Sequence, residues 1–327
     1  MKSMKFIARA LVIAALIAAF IPVASYAQAF PAKPVRIVIW VPPGGVQDAL
    51  TRAMATELNK VWGQPVLVEN RTGASGIIAG EAVARSAPDG YSIFQTDGTT
   101  FNTNYFLRRN MPYDSVKDFA PVLGLVQTSD ILVAKLQLPA GNVRELVALA
   151  KSKPGALNYG SFGLGSSPHL DAEKLSLAAG IAMTHVPYKG GADIPKALLS
   201  GEIDFSFNGL TSVLPLIRDG RIKALAFGGA QRSPALPDVP TLAESGYNFD
   251  TGAWFGWFVP AATPRTVIDK LAADAGRVLA APAFRDKYIL AVGLEPMNLQ
   301  AAQFADVVKD TRVTYESLFK RVQIKLE

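Results

Sequence analysis

Short apolar segments in this chain are repeatedly followed by a glycine-rich turn and then by a segment with helical periodicity. The first unit has the β-branched run Val35–Val41 and the turn Pro42–Gly45. A helix follows, with Leu50, Met54 and Leu58 on one face. A continuous apolar run is typical of a strand covered on both faces, and its alternation with helices is typical of βαβ units. We therefore expect an α/β fold built around parallel sheets.

The same alternation continues to the end of the chain and predicts two α/β halves. Further strands are predicted at Val66–Glu69, Ser92–Thr96, Ile131–Ala134, Leu157–Tyr159, Met183–Val186, Asp204–Phe207, Lys223–Phe227 and Trp254–Val259. Three helices are expected to close the chain. A chain of about 300 residues exceeds the usual size of a single core, so two domains are expected. The crossings between the halves are predicted near residues 125–130 and 230–250.

The first residues have the features of a secretory signal peptide. Lys2, Lys5 and Arg9 form a basic start, and the apolar run Ala10–Ile21 follows. Small residues then offer cleavage after Ala27 or after Ala29. The apolar run is shorter than the roughly 20 residues that a membrane-spanning helix needs. We therefore assign residues 1–27 to a cleaved signal peptide and expect an exported, periplasmic protein.

Composition excludes several other functions. The chain has no cysteine, so disulfides, thiolate nucleophiles and cysteine metal sites are excluded. Removal of the three cationic residues of the signal peptide lowers the formal net charge of +6 to +3. No cluster of Lys and Arg of the kind that follows nucleic-acid phosphates is present. The sequence thus predicts no nucleic-acid partner.

Three glycine turns each follow a predicted strand and precede a predicted helix: Pro43–Gly45, Gly73–Gly76 and Gly160–Ser167. In a doubly wound sheet such junctions lie at the carboxyl edge, where ligands bind. Each turn presents backbone N–H groups at the positive end of a helix, which suits a carboxylate or another anion. One such turn is equally well explained as a chain reversal that caps a helix. Three turns at equivalent positions favour a shared anion site.

Other uses of these residues are less well supported. Nucleotide binding is disfavoured because Gly160–Gly165 does not follow the order G-x-G-x-x-G and no G-K-[ST] occurs. Serine hydrolysis is disfavoured because no G-x-S-x-G occurs. His169 has two interpretations, a hydrogen bond to the loop backbone or contact with a ligand, whereas His185 is interpreted as a packed structural residue. The two histidines have no metal-ligand spacing, so we expect no metal and no cofactor.

A series of motifs runs in order along the mature chain. It starts with Phe30-Pro31, Lys33-Pro34-Val35-Arg36 and Pro42-Pro43-Gly44-Gly45. It continues with Val68-Glu69-Asn70-Arg71, Pro88-Asp89-Gly90-Tyr91, Tyr113-Asp114, Lys117-Asp118-Phe119, Tyr159-Gly160-Ser161, His169-Leu170, His185-Val186-Pro187-Tyr188, Leu236-Pro237-Asp238-Val239-Pro240-Thr241 and Thr263-Pro264. In these motifs the chain resembles the Bug-type extracytoplasmic solute receptors of tripartite tricarboxylate transporters.

The resemblance implies a fold of the periplasmic-binding-protein type II class, with two Rossmann-like lobes, two crossover segments and a ligand cleft between the lobes. We assign residues 30–126 and 235–327 to the first lobe and 127–234 to the second. It further implies a non-catalytic receptor, expected to be monomeric, that closes on a small carboxylate and delivers it to inner-membrane transporter subunits. The implied contacts are Pro43, Gly44, Gly73, Ala74, Ser75 and Gly76 in the first lobe, and Ser161, Gly163, Gly165, Ser166, His169 and Asn208 in the second.

Four positions depart from the family pattern. Val41 stands where an aromatic residue is frequent, and Trp40, one place earlier, is expected to face the other way by the strand period of two. Asn208 stands where Asp is common, and an amide does not repel a second ligand carboxylate. Thr72 and Ser75 stand where Pro and Gly are frequent. We therefore expect a dicarboxylate, a tricarboxylate or an aromatic carboxylate rather than an amino acid. A sensor that docks to a membrane kinase, and a secreted hydrolase or lyase, remain alternatives.

Overall fold

The computed structural model describes residues 30–108, 110–188, 193–249 and 251–322. The segment Lys33–Glu327 forms one compact unit, and the following description concerns that unit. The predicted signal peptide lies outside the described residues. Among the helices within the described residues, none is both long enough and apolar enough to span a bilayer.

The first sheet has six strands and mixed direction. Its strands are β1 Val35–Ile39, β2 Val66–Asn70, β3 Ser92–Asp97, β4 Phe119–Thr128, β10 Trp254–Pro260 and β11 Leu294–Gln300. Their spatial order is β11-β4-β10-β3-β1-β2. The strands β1, β2 and β3 are parallel, whereas β10 and β11 pair antiparallel with their neighbours. This sheet and its helices are called lobe one below.

The helices of lobe one follow its strands in the chain. They are α1 Val46–Trp62, α2 Ile77–Ala84, α3 Gly98–Leu107, α8 Arg265–Ala280, α9 Pro282–Tyr288 and α10 Ala301–Val322. Aromatic side chains from the sheet and from α3 and α10 fill the core, among them Phe94, Phe101, Phe119, Trp254 and Phe304. The packing of the C-terminal helices onto β4 explains why the chain returns to lobe one after its excursion.

The second sheet, with its helices called lobe two, has five strands. They are β5 Asp130–Lys135, β6 Asn158–Ser161, β7 Thr184–Pro187, β8 Phe205–Gly209 and β9 Ile222–Phe227, in the order β7-β6-β8-β5-β9. Its helices are α4 Val143–Ser152, α5 Ser167–Ala179, α6 Asp193–Ser200 and α7 Leu210–Arg218. Along β5, Leu132 and Ala134 enter one apolar cluster and Ile131 and Val133 enter another. Helices therefore cover both faces, as the continuous apolar runs predict.

The expectation of parallel sheets is wrong for part of each sheet. In lobe two, β6 is parallel to β7 and β8, but β5 is antiparallel to β8 and β9. The strands β4 and β5 follow each other with a single residue between them, and each belongs to a different sheet. An apolar run reports burial and carries no information about the direction of its partner, so this difference could not be read from the pattern.

The chain passes between the sheets twice. The first passage lies between Thr128 at the end of β4 and Asp130 at the start of β5. The second runs from Phe227 at the end of β9 to Trp254 at the start of β10. The two passages are hydrogen-bonded to each other, since the Thr128 amide donates to the Ala253 carbonyl over 2.8 Å. The lobe boundaries assigned from the sequence remain a prediction.

Candidate functional site

The first glycine turn lies between β1 and α1. Pro43 and Gly44 are exposed there, and Gly44 has a φ of +95° that favours glycine. The Gly44 amide donates to Asp48 Oδ2 over 3.0 Å. Burial would raise the pKa of Asp48, but hydrogen bonds from Arg52, Asn70 and Gly44 lower it to about 2. The ionised carboxylate of Asp48, in the first turn of α1, therefore binds the backbone of the glycine turn and fixes it to the helix.

The second glycine turn has an unusual backbone. Gly73, Ala74, Ser75 and Gly76 all have positive φ, from +46° to +115°. A side chain on Gly76 would lie 2.8 Å from Thr100 Cγ2. The strands β1, β2 and β3 are parallel, so this turn, the first turn and the start of α3 all lie at one edge of the sheet. The structure thus brings the six predicted contacts of lobe one to a common edge.

Trp40 also lies at this edge of the sheet. That it faces away from Val41 stays a prediction. The side chains of Val38 and Trp40, two residues apart, pack against the same apolar cluster, which agrees with the alternation along β1. A Cβ on Gly76 would lie 3.1 Å from Trp40 Cγ, and Trp40 Nε1 donates to Asp97 Oδ2 over 2.9 Å. The indole of Trp40 therefore packs against the second glycine turn at Gly76.

Helix α3 supplies a contact that the sequence interpretation missed. Its Asn104 Nδ2 donates to the carbonyl of Ser75 over 2.7 Å. The helix starts at an N-cap, Asp97, whose side chain accepts from the Thr100 amide over 2.7 Å. In the sequence, the Asp97-Gly98 pair after the predicted strand Ser92–Thr96 was the available indication that a helix starts here. The Gly, Thr and Asn residues that follow have low helix propensity and conceal the helix.

The third glycine turn connects β6 to α5 in lobe two. Ser166 occupies the N-cap position of α5 without a side-chain capping hydrogen bond, and its hydroxyl donates instead to the Gly163 carbonyl over 2.7 Å. Ser161 Oγ accepts from the Gly163 amide over 3.0 Å. Gly163 and Gly165 have φ of +111° and +74°, values that favour glycine. Both serine hydroxyls therefore shape the loop, and the first-turn N–H groups of α5 have no partner within their helix.

His169 is buried behind this loop in one defined tautomer. The Gly165 amide donates to His169 Nδ1 over 3.1 Å, so Nδ1 is unprotonated and Nε2 carries the hydrogen. Burial and the neighbouring His185 lower the pKa of His169 to about 3. The structure therefore supports the backbone interpretation of His169. A neutral imidazole remains at the base of the loop, and its Nε2–H has no hydrogen-bond partner among the described residues.

His185 contacts the same loop from β7. Its Nε2 lies 2.6 Å from Ser161 Oγ, and its ring lies over the ring of Tyr159 with centroids 5.0 Å apart. A serine and a histidine at this distance resemble part of a hydrolytic triad. However, Ser161 is fully buried, and no carboxylate among the described residues is hydrogen-bonded to His185. The pair braces the loop, as the structural interpretation of His185 predicts.

Asn208 has the most informative environment among the predicted contacts. It lies near the end of β8, and β8 is parallel to β6, so Asn208 and the third glycine turn share one edge of sheet two. Its side chain is fully buried, and neither Oδ1 nor Nδ2 has a hydrogen-bond partner within the described residues. A buried amide without partners costs roughly 1–3 kcal/mol. Such a group needs an explanation, and a polar ligand is one.

The two edges meet at α3. A Cβ on Gly165 of lobe two would lie 2.5 Å from Leu107 Cδ1 and 3.7 Å from Thr103 Cβ, both on α3 of lobe one. Nearby, Leu170 of α5 packs against Tyr315 and Leu318 of α10. Helix α3 thus touches the second glycine turn of lobe one and the third glycine turn of lobe two. The glycine spacing predicted both loops, but the contact between them depends on side chains of α3.

A cavity of about 230 Å³ lies elsewhere in the molecule. Lys174, Thr251, Trp254 and Tyr315 are among its lining residues, and none of the twelve predicted contacts lines it. Lys174 Nζ is already paired with Asp171 Oδ1 over 2.9 Å. Within the described residues, no group of three His, Cys, Asp or Glu side chains is placed to hold a metal ion.

Comparisons with known proteins agree with this architecture. Residues 50–324 match the family model described as tripartite tricarboxylate transporter family receptor. Rpa4515 of R. palustris, solved with adipate, has 31% identity and a TM-score of 0.81, over 91% of this chain and 100% of that chain. The periplasmic binding protein BugD has 32% identity and a TM-score of 0.77, with the same coverage. MatC of Rhodopseudomonas palustris, solved with malate, has 30% identity and a TM-score of 0.76, over 88% and 99%.

These likenesses confirm the two-lobed periplasmic-binding-protein fold expected from the motifs. The relatives are solute-binding receptors of the periplasm and not enzymes, so the hydrolase and lyase alternatives are excluded. Because the family model matches most of the chain, the chain belongs to the receptor family of the tripartite tricarboxylate transporters, and it is of the Bug type.

Proposed function

We propose that this receptor captures a small dicarboxylate, tricarboxylate or aromatic carboxylate between its lobes in the periplasm and delivers it to the membrane subunits of a tripartite tricarboxylate transporter. The observation that carries the proposal is the fully buried amide of Asn208, which has no hydrogen-bond partner among the residues described and lies at the edge of the third glycine turn. An amide that is both donor and acceptor can bind a carboxylate, a hydroxyl or a bridging water. Relatives solved with adipate and malate support this ligand class.

The site suits an anion although its donors are uncharged. The first turns of α1 and α5 have N–H groups without intrahelical partners, and the helix dipole places partial positive charge there. His169 adds a neutral Nε2–H donor. Such fixed dipoles bind an anion most strongly when closure of the lobes excludes water. Closure is then driven by the greater affinity of the ligand for the closed form.

The choice of ligand follows from the charge at position 208. An aspartate there would attract an ammonium group and repel a second carboxylate. Asn208 does neither, and no other acid belongs to the predicted contacts. The proposal therefore favours a di- or tricarboxylate or an aromatic carboxylate over an α-amino acid.

Isothermal titration calorimetry on protein that begins at Phe30 tests the binding step. The protein is unfolded and refolded to remove carried-over ligand, and is titrated with malate, adipate, citrate, benzoate, aspartate and glutamate. Dimethyl adipate is the uncharged control. Binding of free acids without binding of the ester supports the proposal. Binding of aspartate or glutamate alone contradicts the ligand class, and no binding by folded protein contradicts carboxylate capture.

Uptake into proteoliposomes tests the delivery step. Vesicles that contain the membrane subunits of a tripartite tricarboxylate transporter are given radiolabelled ligand with and without the receptor. Uptake that requires the receptor supports delivery. The vesicles contain the transporter whose genes neighbour that of the receptor. If the receptor binds ligand but does not change uptake by this transporter, a sensing role becomes the better explanation.

A further inference from the structure

Two side chains of α3 contact the ligand loops of opposite lobes. Asn104 donates to the carbonyl of Ser75 in lobe one, and Leu107 lies against Gly165 of lobe two. Residues three apart lie on the same face of a helix. One face of α3 therefore separates the second glycine turn from the third.

Helix α3 is fixed within lobe one. Phe101 stacks on Phe258 with ring centroids 4.1 Å apart, and Thr99 Oγ1 lies 3.1 Å from Tyr315 Oη. At the start of the helix, Asp97 caps the backbone and accepts from Trp40. A helix anchored in this way moves with lobe one. A side chain of α3 that contacts lobe two therefore does so at a fixed distance from the second glycine turn.

The contact at Gly165 leaves no spare room. Its α-carbon hydrogen stands where a Cβ would lie 2.5 Å from Leu107 Cδ1, and its φ of +74° already favours glycine. Leu107 itself is buried. Backbone and leucine are therefore in van der Waals contact, and a closer approach of the third glycine turn to lobe one requires the Leu107 side chain to move.

We propose that Leu107 is a specificity-determining spacer, whose size sets how far the lobes close and thereby the length of the carboxylate that the receptor accepts. This inference rests on the proposed function, since the two loops are taken to hold the two ends of one ligand. A smaller residue at 107 lets the loops approach and favours a shorter diacid. A larger residue holds them apart and favours a longer one.

The test on affinity uses Leu107→Ala, Leu107→Phe and the series of unbranched diacids from succinate to suberate. Leu136→Ala is the matched control, because Leu136 is an exposed leucine that follows β5. We expect Leu107→Ala to raise the ratio of succinate to adipate affinity at least tenfold, and Leu107→Phe to lower it at least tenfold. An unchanged order of affinities in both variants, with both folded, overturns the inference.

A second measurement does not depend on ligand binding. The chain has no cysteine, so Lys60→Cys on α1 and Lys196→Cys on α6 give a unique pair of spin labels, one on each lobe. Double electron–electron resonance should show a longer minimum distance in Leu107→Phe than in the parent. Gly165→Ala should lengthen it as well, and adding Leu107→Ala to Gly165→Ala should restore it.

The two measurements separate the two ideas. If the parent binds no carboxylate but the distances respond to residue 107 as stated, the proposed function and the role of Leu107 in specificity both fail, and only its limit on lobe closure remains. If the parent binds diacids and the distances do not respond, the spacer is wrong and the proposed function remains. Failure of Gly165→Ala to be rescued by Leu107→Ala also counts against the spacer.

Discussion

Asp130 and Asp171 share the hydroxyl of Ser167 at the place where the chain passes between the lobes. Ser167 Oγ lies 2.7 Å from Asp130 Oδ2 and 3.4 Å from Asp171 Oδ2. Both acids are buried. Asp171 also accepts from Lys174 Nζ over 2.9 Å and from the Gly252 amide over 3.0 Å. Burial raises the pKa of both acids, but the contacts of Asp171 with Lys174 and Gly252 oppose that rise, so we assign the proton to Asp130.

This arrangement predicts that stability falls as pH rises towards neutrality. Burial and the Asp171 carboxylate raise the pKa of Asp130 from 3.8 to about 7. The folded state then binds a proton that the unfolded state releases, so stability is lost between about pH 4 and pH 7. At about 1.4 kcal/mol per pKa unit, the loss amounts to a few kcal/mol. Urea unfolding of Asp130→Asn should show a smaller loss over this range, because the amide stays neutral.

The comparison of the two proteins isolates Asp130 from other titrating groups. The buried histidines are present in both proteins. Their pKa values are lowered, so their contribution to stability rises with pH, opposite to that of Asp130. Equal pH dependence of the wild type and Asp130→Asn between pH 5 and pH 8 would refute the assignment of the proton to Asp130.

Replacement of Asn208 should separate stability from binding. In Asn208→Leu, two buried polar atoms without partners are replaced by apolar atoms of similar volume. We expect the free energy of unfolding in the absence of ligand to rise by about 1 kcal/mol and carboxylate affinity to fall at least tenfold. Urea unfolding and calorimetry measure the two effects. A variant that is less stable but binds normally would indicate a structural role for the amide.

Gly76 should not tolerate a side chain. Its φ is +86°, and a Cβ would lie 2.8 Å from Thr100 Cγ2 and 3.1 Å from Trp40 Cγ. Gly76→Ala should destabilise the protein by roughly 2–3 kcal/mol, through strain and overpacking, and should weaken carboxylate binding. Gly63→Ala is the control, because Gly63 has a φ of +61° with no atom within 4 Å of the new Cβ. It should cost about 1 kcal/mol and leave affinity unchanged. Equal losses of stability would mean that contact with Trp40 and Thr100 is unimportant.

His169 should remain neutral throughout the physiological range. Burial and His185 lower its pKa to about 3, and the Gly165 amide requires an unprotonated Nδ1. The chain contains only two histidines, so ¹⁵N NMR of the imidazoles can be assigned with His185→Gln. We expect the Nε2–H tautomer and no titration of His169 above pH 5. A midpoint near the usual value of 6.5 would contradict the burial of this ring and the loop geometry built on it.

Much of the site could be predicted from local pattern. The turns Gly73–Gly76 and Gly160–Ser167 follow apolar runs and precede amphipathic segments, so their position at a sheet edge follows from chain geometry. Asn208 follows the predicted strand Asp204–Phe207, but only the family resemblance identified it as a contact. What these residues touch could not be predicted. Among the described residues the amide of Asn208 has no hydrogen-bond partner, and the hydroxyl of Ser161 contacts Gly163 and His185. Both results depend on the alignment of β6 with its neighbours β7 and β8.

Helix α3 shows why the rest escaped prediction. Its residues Gly98–Leu107 have weak helix propensity, and the helix is held by Asp97, by the Phe101–Phe258 stack and by α10. Tertiary packing overrides propensity in such a segment. The contacts of Asn104 with Ser75 and of Leu107 with Gly165 depend on that helix. They could not be predicted because the helix itself was not predicted.

The sequence by itself determined the α/β alternation, the glycine turns at helix N-termini and the family of the chain. The first two are properties of neighbouring residues, which periodicity and turn chemistry encode locally, and the family follows from the series of motifs along the chain. The tertiary structure alone decided the antiparallel direction of β5 and β10, the place of Trp40 behind Gly76, the proton on Asp130 and the approach of Leu107 to Gly165. Each of these depends on burial and on contacts between residues far apart in the chain, and no local pattern specifies such contacts.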